Sequence, residues 1–337
     1  MRVLITGGAG FAGHHLVEHL LTTTDWEIVV LDSLTYAGKI DRLVDCEGYD
    51  PTRVSVIWHD LRAPLDVGLD RSLGEITAVL HLASASHVDR SITEPVYFIQ
   101  NNVFATLNLL EWARTRPELT HFIQVSTDEI YGPSPEGEAH SEWDPHLPSN
   151  PYSASKACQE DITIAWWRTF GVPVVITNTM NMFGQRQFPE KFVPMAIKKI
   201  LNDEPVPIHA KFDRRADTWI SSSRHWLHAR NHADALKWIL ENERAAMFPY
   251  CEQPDRWNIV GEEHTAGEIA QLIATVLGRE GVGEFVDYHT LRPGHDHRYA
   301  LDGSKLRDAG WEPPVDFHKS LEQTVQWTAR FPQWLES

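Results

Sequence analysis

The sequence predicts an α/β fold: a doubly wound parallel sheet in its first half, then a smaller mixed α/β domain. Three observations carry this. Short, wholly apolar runs alternate with helical segments as far as Asn178. A glycine-rich turn follows the first of those runs and opens a helix. The second half loses the alternation and gathers Pro189, Pro194, Pro205 and Pro207. Continuous apolar strands need cover on both faces, and helices linking parallel strands supply it.

The elements follow in order. Val3 to Thr6 is a short apolar strand, and Gly7-Gly8-Ala9-Gly10-Phe11-Ala12-Gly13 turns directly into a helix with Leu16, Val17, Leu20 and Leu21 at helical spacing. Glu27 to Leu31 is a second strand ending at Asp32, Val54 to Trp58 a third ending at Asp60, and Ile76 to Ala83 a fourth. A helical stretch lies between Pro95 and Arg114, a strand at His121 to Ser126, a long helix from Tyr152 to Phe170 closed by Gly171, and a strand at Pro173 to Asn178. Residues 1–178 are expected to form the doubly wound domain and residues 179–337 the smaller mixed one, with 224–246 returning to the first. Within the second part, helices are expected at Ala233–Glu243 and Ala266–Leu277, after a polar stretch from Lys211 to Ser223.

Composition narrows the function. The 337 residues carry 30 Lys and Arg against 47 Asp and Glu, a formal net charge of −17. Phosphate backbones demand cationic surface, so a nucleic-acid partner is not expected. The three cysteines, Cys46, Cys158 and Cys251, are odd in number and far apart, which excludes a closed disulfide framework and a four-cysteine zinc site. No apolar run approaches the roughly 18 residues of a membrane span, and the N-terminus does not read as a signal peptide. A soluble, reduced, cytoplasmic protein without a membrane partner is the expectation.

Gly7, Gly10 and Gly13 let backbone approach a pyrophosphate at a helix N-terminus, where oriented N–H groups favour an anion. Phe11 belongs to the same turn. Asp32 follows Gly13 by 19 residues, near the roughly 20 expected of a carboxylate that binds the adenosine ribose. A carboxylate there repels a 2′-phosphate, so NAD is expected rather than NADP. Asp60 and Leu61, after the third strand, are weaker candidates for the adenine edge, and a solvated turn explains Asp60 equally well.

Tyr152 and Lys156 are four residues apart, on one face of a helix. A tyrosine acting as base near pH 7 must be moved down from about 10, which takes roughly 4 kcal/mol. An adjacent ammonium and a cationic nicotinamide could supply that. At the carboxyl end of a parallel strand, where ligands bind, stands Ser126-Thr127-Asp128-Glu129. A hydroxyl there can bond a reacting oxygen, and paired carboxyls can divide into acid and base.

Together these residues are familiar. The chain resembles the extended short-chain dehydrogenase/reductase superfamily and, within it, the nucleotide-sugar 4,6-dehydratases of the dTDP-glucose 4,6-dehydratase type. The resemblance rests on LDSLTYAG (31–38), SHVDRSI (86–92), NNVFATLNLLE (101–111), STDEIYG (126–132), YSASK (152–156), FPEKFVP (188–194) and RPGHDHRYALD (292–302). It implies that Tyr152, helped by Lys156, takes the C4 hydroxyl proton while hydride passes to NAD. Glu129 then removes the C5 proton, Asp128 protonates the departing C6 hydroxyl, and the hydride returns to C6. Thr127 completes the catalytic set. The resemblance also places His87, Asn181, Lys191, Arg224, Asn258 and Arg292 around a nucleotide-diphosphate sugar, and implies a homodimer joined through a four-helix bundle. Ala85, Asn178, Met182 and His225 depart from the family pattern, on the substrate side.

Rival readings are a nucleotide-sugar epimerase or 5,6-dehydratase on the same scaffold and, from a different class, a non-catalytic dinucleotide sensor. A sensor is expected to have lost the Tyr–Lys pair or the acids. His225, His228 and His232 have spacings seen in metal sites, but 18 histidines make such spacings common and no metal is expected. His295-Asp296-His297 reads as lining of an anion pocket.

Overall fold

The structure is a computed structural model that describes residues 1–213, 217–287 and 298–336. Its strands are β1 (Arg2–Thr6), β2 (Glu27–Asp32), β3 (Val54–Trp58), β4 (Ala78–His81), β5 (His121–Thr127), β6 (Val174–Thr179), β7 (Asn181–Phe183), β8 (Val206–Asp213), β9 (Thr218–Ser221), β10 (Ser223–His228), β11 (Asp255–Ile259), β12 (Glu262–Thr265) and β13 (Gly283–Asp287). Its helices are α1 (Phe11–Thr23), α2 (Ile40–Val44), α3 (Val67–Leu73), α4 (Val88–Thr93), α5 (Pro95–Phe98), α6 (Ala105–Ala113), α7 (Pro151–Phe170), α8 (Phe192–Leu201), α9 (Ala229–Asn242), α10 (Ala266–Val276), α11 (Ser304–Asp308) and α12 (Phe317–Arg330).

Seven strands form one sheet in the order β11-β6-β5-β4-β1-β2-β3, with every neighbouring pair parallel. The order reverses between β1 and β4, which opens a crevice at their carboxyl ends, where doubly wound sheets bind ligands. Apolar side chains on the two faces fall into separate cores. Leu16, Val17 and Leu20 of α1 pack with Leu236 and Ile239 of α9 on one face. On the other, Leu109 and Leu110 of α6 join Phe122 and Trp167. A third core, with Phe183, Ile197, Trp226, Ile273 and Leu321, holds the smaller lobe together.

Two features depart from the sequence reading. Strand β11 forms the edge of the large sheet beside β6, although it lies within the 179–337 segment. The edge of a parallel sheet leaves unpaired backbone groups, and a strand arriving late in the chain covers them. The polar stretch from Lys211 to Ser223, given no element by the sequence reading, contributes to β8 and β9, which pair antiparallel with Phe212 opposite Trp219, and β13 pairs with β8 on the other side. Alternation of charged and aromatic residues suits an exposed hairpin, but its polar average hides it.

The helical stretch after Pro95 is α5 and α6 joined by one π turn, Ile99–Phe104. Such turns often mark functional positions. Here the wider turn places Asn102 so that its Oδ1 accepts from Ala85 N at 2.7 Å. Its Nδ2 donates to Ser155 Oγ at 2.8 Å. The loop after β4 is thereby tied to α7.

Candidate active site

A single cleft of about 420 Å³ runs along the crevice, lined from one end by Gly7, Gly10, Phe11, Gly13, Asp32, Asp60 and Leu61 and from the other by Thr127, Asp128, Glu129, Tyr152 and Lys156. The glycines are there for room. A Cβ on Gly13 would stand 2.2 Å from Gly7 O, and Gly7 itself sits at φ +70 against the backbone of Ala83. Helix α1 begins after Gly10 without a side-chain cap, so its first N–H groups stay open toward the cleft. Asp32 ends β2 with Oδ2 accepting from Ala9 N at 3.0 Å and Oδ1 from Leu34 N at 2.8 Å. Burial pushes its carboxyl above the usual range against those bonds. The bare turn, the open N–H groups and the carboxylate fit a dinucleotide with a free 2′-hydroxyl. Asp60 is half committed elsewhere, since it pairs with Arg62.

At the far end, α7 starts with a full capping box, Asn150 Oδ1 accepting from Ser153 N at 2.9 Å. That cap fixes where Tyr152 and Lys156 enter the cleft. Lys156 Nζ donates to Val125 O at 2.8 Å, and burial moves its ammonium down to about 8. The Tyr152 phenol is hydrogen-bonded to Thr127. Burial, and then the Glu129 and Asp128 carboxylates, push that phenol upward. The sequence reading looks to Lys156 and a cationic nicotinamide together to lower this phenol; of the protein's own groups, burial and the two acids act on it the other way.

Strand β5 runs into a short 3-10 turn, Asp128–Tyr131, which turns both acids into the cleft. Thr127 Oγ1 donates to Asp128 Oδ1 at 2.9 Å, and Asn150 Nδ2 donates to Glu129 Oε2 at 3.3 Å. Burial pushes Asp128 up to about 6. Burial and then the Asp128 charge push Glu129 up to about 7. Two buried carboxyls this close share a proton near neutrality and titrate as a pair. They can therefore give and take protons without leaving the physiological range.

The expected substrate residues divide. Asn181 and Lys191 line the cleft, with Lys191 Nζ donating to Ser86 O at 3.2 Å across its mouth. His87 caps α4 beside that mouth, its Nε2 3.7 Å from Glu190 Oε2. Arg224 is buried in β10, its guanidinium 4.7 Å over the Tyr299 ring, and its charge favours the ionised form of both acids. Asn258 is a correction. It sits in β11 with Nδ2 donating to His140 O at 3.2 Å and Asp302 O at 3.0 Å, and it lines a separate cavity of about 370 Å³. Its amide bridges two carbonyls and is not presented to the cleft. Arg292, like His295, Asp296 and His297, lies outside the described residues. His225, His228 and His232 form no metal cluster among the described residues.

The sequence reading missed Arg42. It is fully buried yet lines the cleft beside Asp32, donating to Ala9 O at 3.3 Å and Arg186 O at 3.1 Å. It ties the glycine turn to the smaller lobe. In sequence it is indistinguishable from a solvated helix residue. Tyr36 and Glu190, bonded at 3.4 Å over the same mouth, fall in segments that carried the resemblance and could have been found there.

A model of the GDP-mannose 4,6 dehydratase family matches residues 4–324. The chain belongs to that family. Among curated members, it is 34% identical over 361 aligned positions to a dTDP-glucose 4,6-dehydratase of Escherichia coli, covering 100% of this chain and 95% of that one. It is 36% identical to the dTDP-glucose 4,6-dehydratase of Neisseria meningitidis serogroup B, again covering 100% and 95%. The family fold is equally close: the dTDP-glucose 4,6-dehydratase DesIV of Streptomyces venezuelae, solved with NAD bound, superposes with a TM-score of 0.86 at 35% identity, covering 100% of this chain and 99% of that one. A Thermus thermophilus UDP-glucose 4-epimerase in complex with NAD reaches 0.81 at 31% identity over 98% and 99%.

Proposed function

We propose that the protein is an NAD-dependent nucleotide-sugar 4,6-dehydratase that converts an NDP-glucose-type hexose to the 4-keto-6-deoxy sugar. One observation supports this above the alternatives: the Asp128–Glu129 pair opens into the same cleft end as Tyr152 and Lys156. Epimerisation at C4 needs the oxidation pair alone. Loss of water across C5 and C6 needs a further base and a further acid, and these are the residues that share the site.

When bound, NAD supplies a hydride acceptor at C4 and a hydride donor at C6. In this reading Tyr152, steadied by Thr127, takes the C4 hydroxyl proton. Lys156, held by Val125 O, keeps positive charge beside it. A ketone at C4 acidifies the C5 hydrogen, and Glu129 removes it. Asp128 protonates the C6 hydroxyl as it departs. Arg224 and Lys191 favour ionised carboxylate at Glu129, and both are suited to the diphosphate of the substrate. The clasp of Tyr36, Glu190, Lys191 and Ser86 over the mouth supports retention of NAD between turnovers.

The protein acts as a homodimer in this reading. Val96 of α5, Phe104 of the π turn and Phe170 of α7 are exposed, an apolar face of the kind a second copy covers. No helix among the described residues is long and apolar enough to cross a membrane.

Incubating the purified protein with dTDP-, UDP-, CDP- and GDP-glucose and following loss of water by mass spectrometry tests the activity. C4 inversion without loss of water would establish the epimerase instead. Denaturing the protein and assaying the supernatant tests the cofactor, with NAD expected and NADP overturning the role of Asp32.

A further inference from the structure

Arg256 and Glu160 form an ion pair at 2.7 Å with both side chains essentially sealed from solvent. Burying two charges is seldom more stabilising than packing two apolar residues in their place. The pair therefore needs an explanation in geometry, and its partners supply one.

Glu160 lies on α7, four residues beyond Lys156 and eight beyond Tyr152, on the same helix face. Its Oε1 accepts from Asn178 Nδ2 at 2.7 Å, and that amide also donates to Thr127 O at 3.2 Å. His146 Nε2 stands 3.4 Å from Oε2. Burial alone would push the Glu160 carboxyl up, but Arg256 and His146 outweigh it and hold it ionised, below the usual range. Arg256 reaches the other way as well. Its Nη1 donates to Tyr131 Oη at 2.9 Å, and Tyr131 donates onward to Glu142 O at 2.8 Å. Tyr131 closes the 3-10 turn that carries Asp128 and Glu129. Trp143 covers the guanidinium at 4.2 Å.

One planar cation thus grips both carriers: α7, which bears Tyr152 and Lys156, and the turn that bears the two acids. Its rigid fork can serve two acceptors at once, which a lysine ammonium on a flexible stem does poorly. We infer that Arg256 is the positioning residue that holds the oxidation pair and the elimination pair in register, through Glu160 on one side and Tyr131 on the other. This role rests on the dehydratase reading. Arg256 is not among the residues that line the cleft; it sits behind them, anchored on the edge strand β11.

The test separates the two half-reactions. Tyr131→Phe keeps the ring and removes only the hydroxyl that links Arg256 to the acid-bearing turn. After mixing with a turned-over nucleotide-glucose, this variant should oxidise C4 at the parent rate. It should lose water at least tenfold more slowly, so that bound NADH accumulates and is seen by absorbance, with KM within threefold of the parent. Arg256→Lys keeps the charge but loses the rigid fork that spans Glu160 and Tyr131, and should show the same NADH rise with lower kcat. Melting temperatures identify the folded variants, and the conservative Tyr131→Phe is expected to be among them. A folded Tyr131→Phe whose NADH transient and kcat match the parent overturns the role. So does a rise in KM at unchanged kcat, or an equal slowing of oxidation and water loss. A parent protein that dehydrates no nucleotide-glucose sinks the dehydratase reading and this role with it. A parent that dehydrates beside an unaltered variant sinks the role of Arg256 alone.

Discussion

The two ends of the cleft are built differently. The cofactor end is made from backbone and from near neighbours in sequence: one glycine turn, the helix it opens, and the carboxylate ending the next strand. The substrate end is assembled from β7, β10 and the loop before α8, which meet only after the chain has folded. An end built from one β-α-β unit carries its chemistry as a motif. An end built from distant side chains carries it as a set of replaceable contacts. The first should therefore be brittle toward mutation and the second adjustable.

The largest effect is expected where the motif meets chemistry. Tyr152→Phe removes the proposed base for C4 oxidation, and positioned acid–base groups are worth up to roughly 10⁴ in rate. We expect kcat to fall by about 10³–10⁴ with no NADH formed on mixing with substrate. NADH formation at the parent rate in that variant would break the assignment. Glu129→Gln should cost less, roughly 10²–10³, and should differ in kind: C4 oxidation persists, so bound NADH accumulates while water loss becomes the slow step.

The pH dependence follows from the shared proton. Below about 6 both acids are protonated, and the C5 base is missing; between about 6 and 7 the pair holds one proton, which rests mainly on Glu129 and must pass to Asp128 before Glu129 can act as the C5 base. Above about 7 both are ionised, and the C6 hydroxyl has no acid. Lys156 also loses its charge above about 8. We expect kcat/KM to peak between about 6 and 7, falling about tenfold per pH unit on either side. In Asp128→Asn the alkaline limb set by the pair should disappear from what activity remains. A profile that is flat from pH 5 to about 8 would show that the pair does not carry the elimination.

The same contrast explains what could be read in advance. Gly7, Asp32, Tyr152 and Lys156 announce themselves because backbone clearance, a strand-end carboxylate and a helical i,i+4 spacing are local rules. Asp128 and Glu129 are legible because they adjoin a strand that must end at the crevice. Arg42, Glu160 and Arg256 are not, because a buried guanidinium and a solvated one look alike until the acceptors are in place. Asn258 misled for the converse reason: the residue stands where the resemblance places a substrate contact, but its amide is committed to His140 O and Asp302 O. Strand β11 was missed because nothing local says which sheet a late strand will join.

The smallest expected effect concerns the adjustable end. Of the four departures from the family pattern, Ala85 and Met182 line the cleft. Asn178 is turned inward to Glu160 and Thr127, and His225 lines the second cavity. Only two departures can touch a ligand in the main cleft directly. A pocket that hydrogen-bonds one base rejects analogues that leave its polar groups unpaired. A site altered at an alanine and a methionine holds its ligand more by shape, and shape discriminates by only roughly 1–3 kcal/mol. We therefore expect dTDP-glucose not to lead the nucleotide-glucose panel by as much as tenfold in kcat/KM, about 1.4 kcal/mol of transition-state binding. Arg224→Ala should lower every member of the panel by a similar factor, because a diphosphate contact is common to all. A dTDP preference above tenfold in the parent would show that the substrate end is as fixed as the cofactor end. An Arg224→Ala loss confined to one nucleotide would move that arginine from the diphosphate to the base.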